Sequence, residues 1–197
     1  MIETVLERKN LSFRTKLTVK SLISLGIVAL AVVLPQIFHL AFGASSGVKF
    51  LPMYAPVILG GCLLGWKWGL ALGLLSPLCS FAITSAFGSP MPAAARLPFM
   101  MAELAVFAVV SGLFSKKIMK NAWFAVPAVL LAGLAGRASF IALVAIFQNV
   151  APFTVSLIWS QIKTGFLGLG LQIVILPLIV GGLKYLLNKD ASEKADD

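Results

Sequence analysis

Three ionisable side chains, Glu103, Arg137 and Lys163, lie inside segments that are otherwise apolar enough to cross a bilayer. A single charge at the centre of a membrane costs at least about 3 kcal/mol on insertion scales, and pairing or a wet cavity is the usual remedy. At 1.5 Å of rise per residue, Glu103 lies about 10 Å, Lys163 about 12 Å and Arg137 about 15 Å from the outer ends of their segments. This similar depth predicts that the three charges face one another.

Two interpretations are open for these charges. In the first, Glu103 and Arg137 pair and hold two segments together, while Lys163 extends to the outer surface. In the second, all three line a polar cavity that opens to the outside. One acid and two bases then leave an excess of positive charge, which suits a carboxylate or phosphate on a ligand.

Aromatic side chains lie one helical turn from two of these charges. Phe99 precedes Glu103 and Trp159 precedes Lys163, each by four residues, so each pair shares one face of a helix. Aromatic walls with few polar anchors are typical of sites for small organic ligands. We therefore expect Phe99, Trp159 and Tyr54 to pack against a ligand.

The remaining polar residues predict neither catalysis nor a metal site. Gln148 and Asn149, at the outer end of the fifth segment, either cap the helix or hydrogen-bond to a ligand. His39 has no second His, Cys or nearby acid to complete a metal site, and Cys62 and Cys79 form no CxxC or Cys/His pattern. The chain also lacks a Ser/His/Asp arrangement, a Gly-Lys-Ser phosphate loop and paired carboxylates, so we expect no enzymatic activity, no ATPase, no cofactor and no metal.

Membrane-spanning helices are the elements that must position these residues. The 197 residues are 59% hydrophobic and 12% charged, with a mean hydropathy of +0.99, and no polar stretch is long enough for a separate soluble domain. The period-two alternation of a membrane barrel is missing, so we predict an all-α membrane protein. Apolar runs of about twenty residues predict six transmembrane helices, at 21–42, 51–65, 68–87, 97–114, 123–147 and 155–187.

Lysine and arginine placement predicts the orientation of these spans. With both termini in the cytoplasm, twelve of these residues fall inside and two, Lys49 and Arg96, outside, as the positive-inside rule requires. Residues 1–20 then form a basic cytoplasmic segment, residues 21–187 the six-helix domain and residues 188–197 a polar cytoplasmic tail. The same distribution accounts for most of the net charge of +9, and the basic N-terminal segment can lie on anionic lipid headgroups. The charge therefore does not require a nucleic acid as partner.

Short connections and small residues complete the pattern. The outer connections GASSGVKF and GSPMPAAA are rich in Gly, Ser, Pro and Ala, a composition that would allow them to act as lids. Gly65, Gly69 and Gly73 lie four residues apart, a spacing that permits close helix contact. Ser76, Ser80 and Thr84 share a face of the third span, where we expect them to hydrogen-bond to backbone.

Three stretches resemble the substrate-binding S component of energy-coupling factor (ECF) vitamin transporters: PVILGGCLLGWKWGLALGLLSPLCSF, RLPFMMAELAVFAVVSGLFSKK and LGLQIVILPLIV. The resemblance covers residues 20–187 and implies a bacterial plasma-membrane protein. It implies tight capture of a vitamin-like small molecule from outside, in a cavity near the outer face that the loop at 43–52 closes. It also implies docking on a transmembrane coupling protein and two cytoplasmic ATPase subunits, followed by toppling of the subunit to release the ligand inward.

The resemblance places Glu103, in the PFMMAELA segment, at the cavity and the first span against the coupling protein. Two features depart from the family: the first span has no Ala pair four residues apart, and Ile2 replaces the His of the metal-specific members, which argues against nickel or cobalt. The leading hypothesis is an S component that holds a small anionic or zwitterionic compound, for example a pantothenate-like carboxylate, with Glu103, Arg137 and Lys163. The alternatives are a self-sufficient proton-coupled carrier that uses Glu103 as its proton site, and a non-transporting membrane protein without a ligand.

Overall fold

The fold of this chain, a computed structural model, is described for residues 2, 6, 12–43, 46–147 and 154–193. These residues contain helices and turns and no strand. Six helical spans are long and apolar enough to cross a membrane. The prediction of an all-α membrane protein with six transmembrane helices is confirmed, and the orientation of the termini stays a prediction.

Eight α-helices make up these spans and their connections. The second span consists of α2 and α3 together, and short 3-10 turns at Ala94–Arg96 and Ala122–Phe124 precede α5 and α7. The helices are α1 Phe13–Phe42, α2 Ser46–Phe50, α3 Tyr54–Leu64, α4 Trp66–Ala86, α5 Leu97–Leu113, α6 Ser115–Lys120, α7 Ala125–Ile146 and α8 Val155–Glu193.

Local backbone chemistry shifts some helix ends away from the apolar runs. Helix α1 begins at Phe13 rather than at residue 21, because the Ser12 hydroxyl accepts a hydrogen bond from the Thr15 N–H at 3.3 Å and caps the helix. The apolar run from residue 51 is not continuous helix, because Leu51 has a φ of 50° and Pro52 follows it. The second span is therefore broken just where it approaches the charged residues.

Helix α5 lies at the centre of the bundle and packs against α3, α4 and α7, while α1 covers α3 and α4 and α8 covers α7. Glycines permit the closest approach. A Cβ at Gly73 would lie 2.5 Å from the Ala105 Cα, and one at Gly69 would lie 2.7 Å from the Ala108 carbonyl oxygen. The close helix contact predicted for the glycine series is confirmed at these two positions, whereas Gly65 ends α3 with a φ of 87°.

Apolar side chains fill the space between α3, α5 and α7, and large apolar side chains also cover the outside of the bundle. Helix α1 illustrates the division: Ile27 and Ala31 are buried, whereas Leu22, Leu25 and Leu40 are exposed. An outward-facing apolar surface is what a lipid environment requires. The innermost side chains include Val57, Ile58, Leu104, Phe107, Ala128 and Val129.

Candidate functional site

The two ends of the bundle differ in their connections. At one end, here called the cavity end, lie residues 46–53 and the connection at 87–96. At the opposite end, the lysine end, lie the turn at Gly65 and the segment at 114–124, which carries three lysines. The candidate site lies at the cavity end.

A buried ion pair connects three helices near the cavity end. Glu103 on α5 is fully buried, and the Arg137 Nη1 of α7 donates to its Oε1 at 2.7 Å. The Tyr54 hydroxyl at the start of α3 donates to the other oxygen, Oε2, at 2.5 Å. The Arg137 guanidinium also lies 5.2 Å from the centre of the Tyr54 ring, within the range of a cation–π contact. The predicted pairing of Glu103 with Arg137 is confirmed.

A cavity of about 310 Å³, here called the main cavity, lies beside this ion pair. Every one of the six spans contributes to its wall, from Pro35 on α1 to Gln161 on α8. Glu103 does not line it, because Tyr54 and Arg137 stand between the carboxylate and the cavity. Its polar wall residues are Tyr54, Ser80, Arg96, Arg137 and Gln161.

Of the described residues, two arginines and no acidic residue line the main cavity. Arg96 Nη2 donates to the neutral Gln161 amide oxygen at 2.6 Å, and Arg96 has no carboxylate partner among the described residues. The charge of Arg137 is balanced by Glu103, yet its Nη2 is buried and has no hydrogen-bond partner within the described parts of the chain. Because Glu103 balances Arg137 and no described carboxylate balances Arg96, the cavity wall carries a net positive charge.

The first connection at the cavity end is docked on α8. The Gln172 Nε2 donates to the Leu51 carbonyl at 3.0 Å, and a Cβ at Gly168 would lie 2.6 Å from the Phe50 carbonyl group. Residues 46–52, here called the α2 segment, lie across the main cavity, and four of them line it. The loop predicted as a lid is thus placed at the cavity.

The second connection is attached to α4. Ser80 Oγ donates to the Met91 carbonyl at 2.9 Å, and Thr84 Oγ1 accepts from the Met91 N–H at 2.7 Å. Met91 and the two residues after it line the main cavity. The predicted backbone hydrogen bonding is confirmed for Ser80 and Thr84, and it holds a wall of the cavity in place. For Ser76 it is wrong, because the buried Ser76 Oγ has no hydrogen-bond partner among the described residues.

The structure does not bring Lys163 to the ion pair. Lys163 is exposed, and its Nζ lies 5.8 Å from the centre of the Trp159 ring. Gln161 faces the main cavity, and a residue two positions further along a helix is rotated by about 200°. The expectation that all three charges line one cavity is therefore wrong for Lys163, and it is wrong for the fully buried Glu103 as well. A direct contact of either residue with a ligand stays an untested prediction.

The predicted aromatic residues divide among three environments. Tyr54 lines the main cavity, whereas Trp159 is half exposed and lines a second cavity of about 260 Å³ between α7 and α8, together with Arg137. Phe99 lines neither cavity and lies edge-on to Phe140 and Phe147, with ring centres 6.4 and 6.3 Å apart. Arg137 thus lies between the two cavities.

Gln148 and Asn149 fall outside the described residues, so their predicted contact with a ligand stays a prediction. Sequence reasoning missed Arg96, Gln161 and the part of Ser80 in the cavity wall. Arg96 precedes Glu103 by two helical turns, which places both residues on one face of α5 and its preceding turn. That spacing is the available signal, whereas the count of lysines and arginines on each side of the membrane places Arg96 only in an outer loop.

Comparison with known proteins gives one match. A family model described as ECF transporter, substrate-specific component, matches residues 20–180. This range includes every residue that lines the main cavity. No curated protein and no solved structure matches the chain significantly.

Proposed function

Because this chain belongs to the family of substrate-specific components of ECF transporters, we propose that it captures a small anionic, vitamin-like compound in the main cavity from outside. Such a component is the substrate-binding subunit of a transporter and is not itself an enzyme. The observation that carries the anionic assignment is the cavity wall, to which Arg96 and Arg137 contribute guanidinium groups while none of the described acidic residues lines it. A carboxylate or phosphate on the ligand would complete this charge distribution.

Arg137 is the residue best prepared to hold the anionic group. Glu103 and Tyr54 fix its position through the 2.7 Å ion pair and the cation–π contact, and its side chain, which is 12% exposed, lines the main cavity. A planar guanidinium with a fixed orientation binds a carboxylate with good geometry. In this proposal Glu103 positions Arg137 and does not touch the ligand.

The remaining wall selects for the size and the apolar body of the ligand. Val48, Met53 and Met100 give the cavity an apolar surface around the two arginines. Sites for small molecules span about 300 to 1,000 Å³, so a cavity of about 310 Å³ is at the small end. A compact compound such as a pantothenate-like carboxylate fits this description better than a large corrinoid such as cobalamin.

Delivery to the inside requires partners in this proposal. The sequence has no Gly-Lys-Ser phosphate loop, so ATPase subunits would supply the energy through a transmembrane coupling protein. The exposed face of α1 is a suitable surface for that protein, because Gly26 has no other heavy atom within 4 Å of its Cβ position and exposed Leu22 and Leu25 flank it. Small residues between apolar ones favour close helix crossings in membranes.

A proton-coupled carrier that uses Glu103 is less well supported. A proton site has to exchange protons with water, whereas Glu103 is fully buried and does not line the main cavity. Both of its oxygens already accept hydrogen bonds, from Tyr54 and Arg137. The surroundings of Glu103 therefore favour a positioning role.

The test begins with the ligand that copurifies with the protein. Small molecules released by denaturation of the purified protein are identified by mass spectrometry, and the compound found is titrated against variants by calorimetry. Removal of a charge-assisted hydrogen bond costs about 1.5–3 kcal/mol, so Arg96→Gln and Arg137→Gln should each weaken binding by about tenfold or more.

Lys163→Gln is the matched control, since it removes one positive charge from the same half of the protein but lies outside the cavity wall. Its affinity should stay within about twofold of the wild type. Unchanged affinity in both arginine variants, or a ligand without an anionic group, would contradict the proposed site.

A further inference from the structure

A third cavity, of about 560 Å³, lies at the lysine end of the bundle. Its wall contains Lys20 from α1, Lys67 from α4 and Lys116 from α6, together with Trp66 and Trp68. Among the residues that the structure describes, no acidic residue lines it. We call it the lysine cavity, and it is separate from the main cavity because the two share no wall residue.

The floor of the lysine cavity is rigidly packed. A Cβ at Gly112, near the end of α5, would lie 2.5 Å from the Trp66 nitrogen and 2.6 Å from the Trp66 Cα. The backbone of the turn at Gly65 therefore packs directly against the end of α5. Three lysines from three helices thus surround a fixed backbone surface rather than a loose loop.

An apolar ridge leads from this cavity along the outside of α4. It begins at Trp66, which is 46% exposed, and continues at four-residue spacing through Leu70, Leu74 and Leu78, which are 37–42% exposed. Four-residue spacing keeps these side chains on one face of the helix. Leu113, at the edge of the cavity, is also exposed.

From this arrangement we propose that the lysine cavity binds the phosphate of an anionic phospholipid. The ammonium groups of Lys20, Lys67 and Lys116 surround the phosphate, and the acyl chains lie along the ridge on α4. Lysines bind phosphate as compact charges, and tryptophans are typical of the membrane–water boundary. The ridge favours a lipid over an acidic peptide, since a peptide has no acyl chain to place there.

Native mass spectrometry of the detergent-solubilised protein tests this proposal. Phosphatidylglycerol and phosphatidylcholine of equal chain length are titrated separately, and the fraction of protein with bound lipid is measured. We expect tighter binding of phosphatidylglycerol. The triple variant Lys20→Gln, Lys67→Gln, Lys116→Gln should lose that preference, with affinity for phosphatidylglycerol lower by about tenfold or more.

Two further variants control for net charge and for folding. Lys16→Gln, Lys117→Gln, Lys120→Gln makes the same change in net charge at the same end but outside the cavity, and it should keep the preference. Lys20→Arg, Lys67→Arg, Lys116→Arg retains the positive charges and should also keep it. Capture of a ligand in the main cavity should be unchanged in all three variants, so this test is independent of the proposed function.

Several outcomes would overturn the lipid assignment. Equal binding of the two lipids by the wild type would do so, as would an equal loss in the control variant. Soluble glycerol phosphate that binds as tightly as phosphatidylglycerol would indicate a site for free phosphate. A cavity variant that binds lipid normally but no longer assembles with the ATPase subunits would indicate a groove for a protein partner.

Discussion

Glu103 organises the candidate site from behind the cavity wall. One of its oxygens accepts from Arg137 and the other from Tyr54, so the side chains of α3 and α7 are fixed relative to α5. The carboxylate itself is fully buried and out of reach of the main cavity. The buried charge of Glu103 is tolerated in a membrane protein because both carboxylate oxygens accept hydrogen bonds and Arg137 supplies the opposite charge.

Loss of the Glu103 charge should destabilise the protein. Glu103→Gln leaves the Arg137 guanidinium without a counter-charge, and removal of one partner of a buried ion pair costs about 3–5 kcal/mol. We expect a lower melting temperature of the purified protein in detergent. Lys163→Gln should leave the melting temperature nearly unchanged, because Lys163 is exposed.

A double variant separates the ion pair from general damage. Glu103→Gln combined with Arg137→Gln should be less destabilised than the sum of the two single changes, because no unpaired charge is left. Simple additivity of the two losses would show that the pair is not coupled. The single variants and the double variant should be compared in the same detergent.

At the residue scale, the depth of the charged side chains in the membrane could be predicted from the sequence, but the direction in which they point could not. The rise per residue placed Glu103 and Arg137 at compatible depths, and the two do meet. Lys163 has a compatible depth as well, but it points away, because a helix turns by about 100° per residue and the packing of α8 decides which face is inside. Arg96 shows the opposite case: its position in an outer loop predicts no place in the cavity, yet its side chain lines the main cavity.

At the scale of elements, two residues of α8 fix the position of the α2 segment. Gly168 allows the backbone of Phe50 to approach, and Gln172 holds the Leu51 carbonyl. These contacts bring the segment across the main cavity. A side chain at Gly168 would meet backbone atoms, which cannot move aside as a flexible side chain can.

Gly168→Ala should displace the α2 segment. The added Cβ would lie 2.6 Å from the Phe50 carbonyl group, and overpacking of this kind typically costs about 1–3 kcal/mol. We expect a lower melting temperature and weaker binding of the copurified ligand.

Gly170→Ala is the matched control on the same helix, because no atom lies within 4 Å of its Cβ position. The change should be neutral or stabilising by up to about 1 kcal/mol through helix propensity. Equal effects of the two substitutions would contradict the docking of the α2 segment on α8.

Hydropathy predicted the existence of all six spans and misjudged their interruptions. Average hydropathy is not affected by a capping hydroxyl. The hydropathy therefore places the start of the first span at residue 21, although the helix begins at Phe13. Average hydropathy also does not register the positive φ of Leu51 followed by Pro52. Both features depend on backbone geometry, and the second one creates part of the cavity wall.

For the whole molecule, the orientation in the membrane decides which cavity faces outward. Lys49 lies beside the main cavity, whereas Lys116 lines the lysine cavity. The positive-inside rule predicts that the lysine end is cytoplasmic. The main cavity would then open to the outside.

Cysteine labelling tests this orientation. In a background with Cys62→Ala and Cys79→Ala, Lys49→Cys should react with a membrane-impermeant maleimide in intact cells. Lys116→Cys should react only after the membrane is permeabilised. The reverse pattern would invert the predicted orientation.

Helix α5 extends from one cavity to the other. Met100 near its start lines the main cavity, and Leu113 at its end lines the lysine cavity, about 20 Å away along one continuous rod. Glu103 sits on the same rod. A protein partner that tilts the Leu113 end of this rod would also move Met100 in the wall of the main cavity, so a solute held there would be released from the opposite end of the bundle without being touched.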